Sequence, residues 1–124
     1  MTTPVQKVDK LATPTFMFTC MDGPETAPLR IKHLEGHLIY IENNNEKYRV
    51  AGPMRGTGDG EIVGSYFLIE AETEDQARAV MAGDPYMESG MYASVTVYEV
   101  VPACGVWMGG VIWDRETLIQ THPK

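Results

Sequence analysis

The stretch GSYFLIEAETEDQARAVMAGDPYMESGMYASVTVYEV, Gly64 to Val100, decides the fold. With Ile62 and Val63 just ahead of it, its first part is β-branched and aromatic as far as Ala71, which predicts a long strand. Thr73 and Gln76 carry the clearest local signal in the chain: a threonine caps the first turn of a helix while a glutamine three residues on reaches back to close a capping box. Ala77, Val80 and Met81 give the helix Thr73 to Met81 one apolar side. Asp84, Pro85 and Gly90 then mark the cap, first position and stop of a single helical turn. YASVTVYEV, Tyr92 to Val100, reads as a closing core strand that ends before Pro102.

The preceding half repeats this alternation of strand and helix. In TFMFTCM, Thr15 to Met21, Phe16, Phe18 and Cys20 alternate with Thr15, Met17 and Thr19, a half-buried strand. DGPETAP turns the chain, and its Pro28 suits the first turn of a helix. From Leu29 to about Asn43, Ile31, Leu34, Leu38 and Ile41 recur on one helical stripe until NNN weakens the helix. YRVAG, Tyr48 to Gly52, is a short strand closed by Gly52-Pro53, and RGTGDGE, Arg55 to Glu61, is a Gly-rich loop.

The order βαββαβ predicts a ferredoxin-like α+β domain, an antiparallel sheet with two helices on one face. The other face would carry Phe16 or Met17, Tyr66 or Phe67, and Tyr92 or Tyr98, too apolar to leave wet. Burial against a second copy solves this, so a homodimer or higher homo-oligomer joined through the open sheet face is expected. Residues 15–101 make up this domain. Residues 1–14 are a polar, Pro-containing extension, expected to be disordered or to lie on a neighbouring subunit. Residues 102–124 exceed what the fold needs, and Trp107, Met108, Val111, Ile112 and Trp113 suggest an apolar arm or an extra edge strand on its own sheet or a partner's.

Among the 124 residues, 17 Asp and Glu face 10 Lys and Arg, a net charge of -7 that opposes binding to nucleic acid or an anionic membrane surface. No apolar run approaches a membrane span and the N-terminus lacks a signal-peptide pattern, so a cytoplasmic location is expected. Cys20 and Cys104 have neither CxxC nor zinc-like spacing. GPMRGTGDGEIVGS leads into a strand and lacks both dinucleotide and phosphate-loop fingerprints, so no nucleotide cofactor is implied. Arg55 on that loop is placed to meet an anionic substrate, although a solvated arginine is the commoner case.

His33 and His37 are four apart on the first helix, with Arg30 two turns before His37 on the same side. A half-buried imidazole, ordinarily titrating at about pH 6.5, takes a proton at neutral pH, and a satisfied core histidine is the alternative for His37. HLEGH differs from a zinc-protease motif in the place of its Glu35, and only a distant carboxylate such as Asp84 would complete a ligand set, so no metal is expected. Asp84 has one reading as a helix cap and another as a carboxylate over a reactive site, since one oxygen suffices for the cap.

FMFTCMDGPETAPLR, RIKHLEGHLIYI, VAGPM and the stretch quoted first together resemble the YciI-like family over residues 15 to 100. The resemblance implies a dimeric α+β barrel. It implies an acid–base pair at His37, from the HL motif, and Asp84, from DPY, with Arg30 and Ser65 in the same pocket. It also implies chemistry of the kind performed by a dehydrochlorinase of chlorinated hydroxyhydroquinones. The expected function is therefore a small-molecule lyase or isomerase that moves protons without a cofactor, with Tyr86 orienting substrate and His33 and Arg55 as further binding groups. A non-catalytic binding or oligomer-forming domain and a cofactor-free oxygenase are the rival readings.

Overall fold

The computed structural model describes residues 5–58 and 60–122. Residues 1–4 of the N-terminal extension, Asp59 of the Gly-rich loop and the last two residues of the C-terminal extension lie outside the described residues. Strand β1 (Thr15–Asp22), helix α1 (Thr26–Asn43), β2 (Tyr48–Arg55), β3 (Ile62–Glu70), α2 (Glu74–Ala82), the single turn α3 (Pro85–Glu88) and β4 (Tyr92–Val100) follow in chain order. The sheet order is β2-β3-β1-β4 with every neighbouring pair antiparallel, which is the ferredoxin-like α+β arrangement.

The core lies on the helix-covered face. Phe18 pairs across the sheet with Phe67 on one side and Val97 on the other. Phe16, Phe18, Cys20, Phe67 and Ile69 are buried together with Ala77 and Met81 of α2. Thr73 caps α2 as expected, the Gln76 amide donating to Thr73 Oγ1 at 3.1 Å, but the Gln76 side chain reaches one residue further back than a capping box, Oε1 accepting from the Glu72 amide at 3.0 Å instead of the Thr73 amide. On the opposite face the register sets Met17 between Leu68 and Tyr98, and Thr19 between Tyr66 and Thr96. Of the open-face candidates, Met17, Tyr66 and Tyr98 are the residues found there, and Tyr98 is 65% exposed.

Three local expectations are corrected. Helix α1 starts at Thr26, three residues before Leu29, because buried Thr26 is tied on both sides: its Oγ1 accepts from the Gly23 amide at 2.8 Å and donates to the Met91 carbonyl at 2.6 Å. Its apolar stripe is not sunk in the core, since Ile31 is 80% exposed and Leu34 and Leu38 are about half exposed. Strand β2 runs through Gly52-Pro53 to Arg55, because an edge strand tolerates a residue without an N–H.

Residues 13–100 form one compact unit, and the chain on either side of them forms another. In that second unit β5 (Cys104–Gly105) and β6 (Gly110–Val111) make a small hairpin around a 3₁₀ turn, and α4 spans Arg115–Thr121. Gly109 closes the turn at φ 79°, a left-handed conformation that disfavours any residue with a Cβ. The N-terminal extension pairs with this hairpin of its own chain: the Val8 amide donates to the Val111 carbonyl at 2.8 Å and the Val111 amide to the Gln6 carbonyl at 2.9 Å. The tail thus pairs within its own unit, and the four-stranded sheet contains none of its described residues.

Phe18 and Ile31 separate core from surface. Truncating Phe18 to Ala is expected to cost about 3–5 kcal/mol in urea unfolding, as deletion of a fully enclosed aromatic does. Ile31→Ala is expected to stay within about 0.5 kcal/mol.

Candidate functional site

Helix α1 and strands β2 and β3 border a cleft of about 320 Å³. Its apolar walls are Leu34, Leu38, Ile41, Ala51, Pro53, Ile62 and Phe67, and its polar groups are Arg30, His37, Ser65 and Tyr86. A mostly apolar hollow with a few convergent polar groups is the ordinary form of a small-molecule site.

His37 is held by α3. Its Nδ1 lies 2.8 Å from each oxygen of the Asp84 carboxylate, which has 0% exposure. A carboxylate accepts and does not donate, so Nδ1 carries a hydrogen, and in the neutral ring that tautomer leaves the lone pair on Nε2. Asp84 is also the cap of α3: its Oδ1 accepts from the Tyr86 amide at 2.9 Å, and its backbone carbonyl accepts from Met87 and Glu88. Cap and histidine partner are therefore one side chain. Tyr86 extends this support, its ring stacked on the imidazole at 3.8 Å between centroids and 6° between planes.

Close approach of α1 to α3 depends on glycine. A Cβ on Gly36, the residue before His37, would stand 3.2 Å from Pro85 Cγ, tighter than ordinary packing. A Cβ on Gly83, the residue before Asp84, would stand 2.6 Å from Tyr40 Oη, which donates to the Val80 carbonyl at 2.6 Å. Small residues on both sides let the two segments meet within a hydrogen-bond length.

A second polar cluster belongs to Arg30. Its guanidinium donates to Asp22 through Nε at 2.9 Å and Nη2 at 2.8 Å, a bidentate pair, and Nη2 also donates to Ser65 Oγ at 2.9 Å. The pair with Asp22 raises the Arg30 pKa further above its ordinary value, so the charge is permanent. Tyr92 donates to the same Ser65 Oγ at 2.9 Å. The guanidinium lies 5.5 Å from the Tyr86 ring centre and 5.7 Å from that of Tyr92. Burial raises the pKa of both phenols, keeping them protonated at neutral pH.

A shift of register makes this cluster possible. Met21 pairs with Ser94 but Asp22 pairs with Tyr92, leaving Ala93 as an extra residue on β4. Such a bulge re-aims side chains. Simple alternation would send Tyr92 to the face of Ser94, whereas the bulge delivers it to Ser65 on the helix-covered face. Tyr92 is therefore removed from the open-face candidates.

His37, Asp84, Arg30, Ser65 and Tyr86 are brought together, while His33 and Arg55 are not among the cleft residues. His33 stands one turn before His37 on α1, and Arg55 donates to the Gly60 carbonyl at 3.0 Å, closing its own loop. Sequence reasoning missed Asp22 and Tyr92. The G-x-Y spacing after DPY was the available sign of Tyr92, and Asp22 offered none beyond its place at the end of β1. Among the described residues no group of three or more His, Cys, Asp and Glu converges as a metal site. No described helix is long and apolar enough to cross a membrane. Both cysteines are free, and burial, then the Asp84 charge, pushes the Cys20 thiol up to about 12, far from thiolate chemistry at neutral pH.

The model of the YCII-related domain family matches residues 15–101. Among solved structures, 5-chloro-2-hydroxyhydroquinone dehydrochlorinase (TftG) from Burkholderia phenoliruptrix AC1100, in complex with 2,5-dihydroxybenzoquinone, is similar at 29% identity and a TM-score of 0.64, over 74% of this chain and 96% of that one. A hypothetical protein of Arabidopsis thaliana is 12% identical with a TM-score of 0.47, over 79% of this chain and 95% of that one. No curated protein matches the chain.

Because Asp84 both caps α3 and accepts from His37, its removal has two costs. Asp84→Ala is expected to lose about 2–4 kcal/mol in chemical unfolding, from the missing cap and the stranded Nδ1 hydrogen together. Asp84→Asn, which retains a capping oxygen, is expected to lose less than half of that.

Proposed function

The chain belongs to the YCII-related domain family, and from that premise we propose that it is a small-molecule lyase or isomerase driven by proton transfer at His37. The observation that carries this reading is the free Nε2 of an imidazole whose other nitrogen is tied to a buried carboxylate, in a ring that lines an apolar cleft. Asp84 fixes the tautomer and steadies the imidazolium formed when Nε2 takes a proton. Arg30 and Ser65 face the same cleft and meet the negative charge that grows on a substrate oxygen.

The substrate class follows from the strength of the base. A neutral imidazole removes an acidified proton, such as that of an enol, a phenol or a carbon next to a carbonyl. The apolar walls suit a small ring. Similarity to a dehydrochlorinase caught with a dihydroxybenzoquinone supports a hydroxylated, conjugated ring compound. For elimination, Nε2 takes a proton from one ring hydroxyl and delivers it to the halogen-bearing ring carbon, giving the keto tautomer; it then takes the proton of a second, conjugated hydroxyl, whose O–H pair becomes a C=O as the ring electrons shift and the halide leaves with its bonding pair. The products are the conjugated carbonyl compound and HX, with no electron acceptor consumed. If no leaving group is present, return of the proton to another carbon gives an isomer.

The proposal extends to assembly. A homodimer joined through the open sheet face would cover Met17, Tyr66, Leu68 and Tyr98.

Chloride release from a chlorinated hydroxyhydroquinone tests the chemistry. Wild-type turnover is expected, with His37→Gln slower by about 10²- to 10⁴-fold at unchanged circular dichroism. Absence of release across such compounds, or an equally active His37→Gln, removes the proposal. Sedimentation equilibrium tests the assembly: a mass at least twice 13.8 kDa is expected for wild type and a smaller one for Tyr98→Lys, while a monomeric wild type refutes the dimer.

A further inference from the structure

Resting on the reading of the cleft as a substrate site, we propose that Tyr92 is a positioning residue that acts through Ser65, obliging the serine hydroxyl to donate its proton to an oxygen of the bound compound. The reasoning is an inventory of hydrogens. A serine hydroxyl has one hydrogen and two lone pairs. Arg30 Nη2 occupies one lone pair at 2.9 Å, and a guanidinium has nothing to accept with. The Tyr92 hydroxyl occupies the other at 2.9 Å, and Ser65 is the acceptor it has among the described residues.

Both acceptor sites of Ser65 are thus filled by donors, one of them charged. Ser65 is buried except where it lines the cleft, and the one protein acceptor within reach of its hydrogen among the described residues is the Tyr92 oxygen, whose own hydrogen is spent on Ser65. The remaining direction for that hydrogen is the cleft. Donation into Ser65 from a cation and a phenol polarises its O–H and strengthens its own donation. This end of the cleft therefore presents donors alone, and the group that fits there is a carbonyl or phenolate oxygen. Asp22, by gripping the guanidinium through two bonds, holds the fork that aims Nη2 at Ser65. Without the Tyr92 hydroxyl one lone pair falls vacant and the serine rotor is no longer fixed.

The chain of bonds also separates two duties within the cleft. Nε2 of His37 accepts a proton, and Ser65 gives a hydrogen bond without giving up its proton. Ser65 next to a guanidinium and a phenol is an electrophilic support, not a nucleophile. Tyr92 is not among the cleft residues; its ring lies edge-on to Tyr86 and 5.7 Å from the Arg30 guanidinium, and its hydroxyl meets the cleft through the Ser65 oxygen.

Neutron diffraction from deuterated crystals of the ligand-free full chain tests the hydrogen inventory directly. The expected result is a Tyr92 deuterium aimed at Ser65 Oγ and a Ser65 deuterium aimed into the cleft. A Ser65 deuterium aimed at the Tyr92 oxygen overturns the proposal, whatever the cleft binds. The energetic counterpart is calorimetric titration with 2,5-dihydroxybenzoquinone. Ser65→Ala and Tyr92→Phe are each expected to weaken binding about tenfold. In the Ser65→Ala background, Tyr92→Phe is expected to add less than about twofold. Equal weakening by Tyr92→Phe in both backgrounds shows a path other than Ser65 and also overturns it. Failure of the wild-type chain to bind this quinone counts against the substrate reading, and the deuterium positions then decide the case of Tyr92 alone.

Discussion

The buried carboxylate of Asp84 is the constraint on which the site depends. An ionic group at 0% exposure is tolerable only if its oxygens are satisfied, and here the Tyr86 amide and His37 Nδ1 do so. One donor comes from the turn that Asp84 itself begins, the other from a helix 47 positions earlier in the chain. Local and long-range structure therefore meet in one side chain. The imidazole is oriented because the carboxylate needs it, and the carboxylate is held because it also caps a turn.

This economy explains why α1 is only partly sunk into the domain. The helix is fastened at its start by Thr26, at its middle by His37 and further along by the Tyr40 hydroxyl on the Val80 carbonyl. Leu34, Leu38 and Ile41 are thereby held away from full burial and become walls of the cleft. An apolar stripe that would ordinarily close a core instead encloses a space. Polar anchoring substitutes for part of the hydrophobic packing, and the cavity is its structural result.

The two polar clusters are organised around a shared aromatic ring. Tyr86 stacks on His37 and also lies within cation–π range of Arg30, so the proton acceptor and the guanidinium are braced by the same side chain. The bulge on β4 opposite the end of β1 completes the arrangement by supplying Tyr92 to Ser65, beside the Asp22 that grips Arg30. A single extra residue on β4 thus changes which face a tyrosine serves.

Much of this protein is determined by local pattern. The alternation of Phe16, Phe18 and Cys20, the Thr73 cap, the Asp84-Pro85 turn and the order of elements lead to a ferredoxin-like domain, because periodicity and capping are interactions between near neighbours. The candidate residues His37, Asp84, Arg30 and Ser65 could also be named in advance, through a family resemblance of ordered motifs, and Tyr86 from its place beside Asp84. What only the tertiary structure decided are contacts between distant segments: the Ile31 side chain turned to solvent, the roles of Gly36 and Gly83 as close-approach points, the pairing of the N-terminal extension with its own tail, and the bulge that moves Tyr92. A helical wheel gives a stripe but not the element it faces, and strand alternation gives two faces but not the register at which one residue is skipped. Those choices depend on how the segments pack and pair in space, which no short window of residues contains.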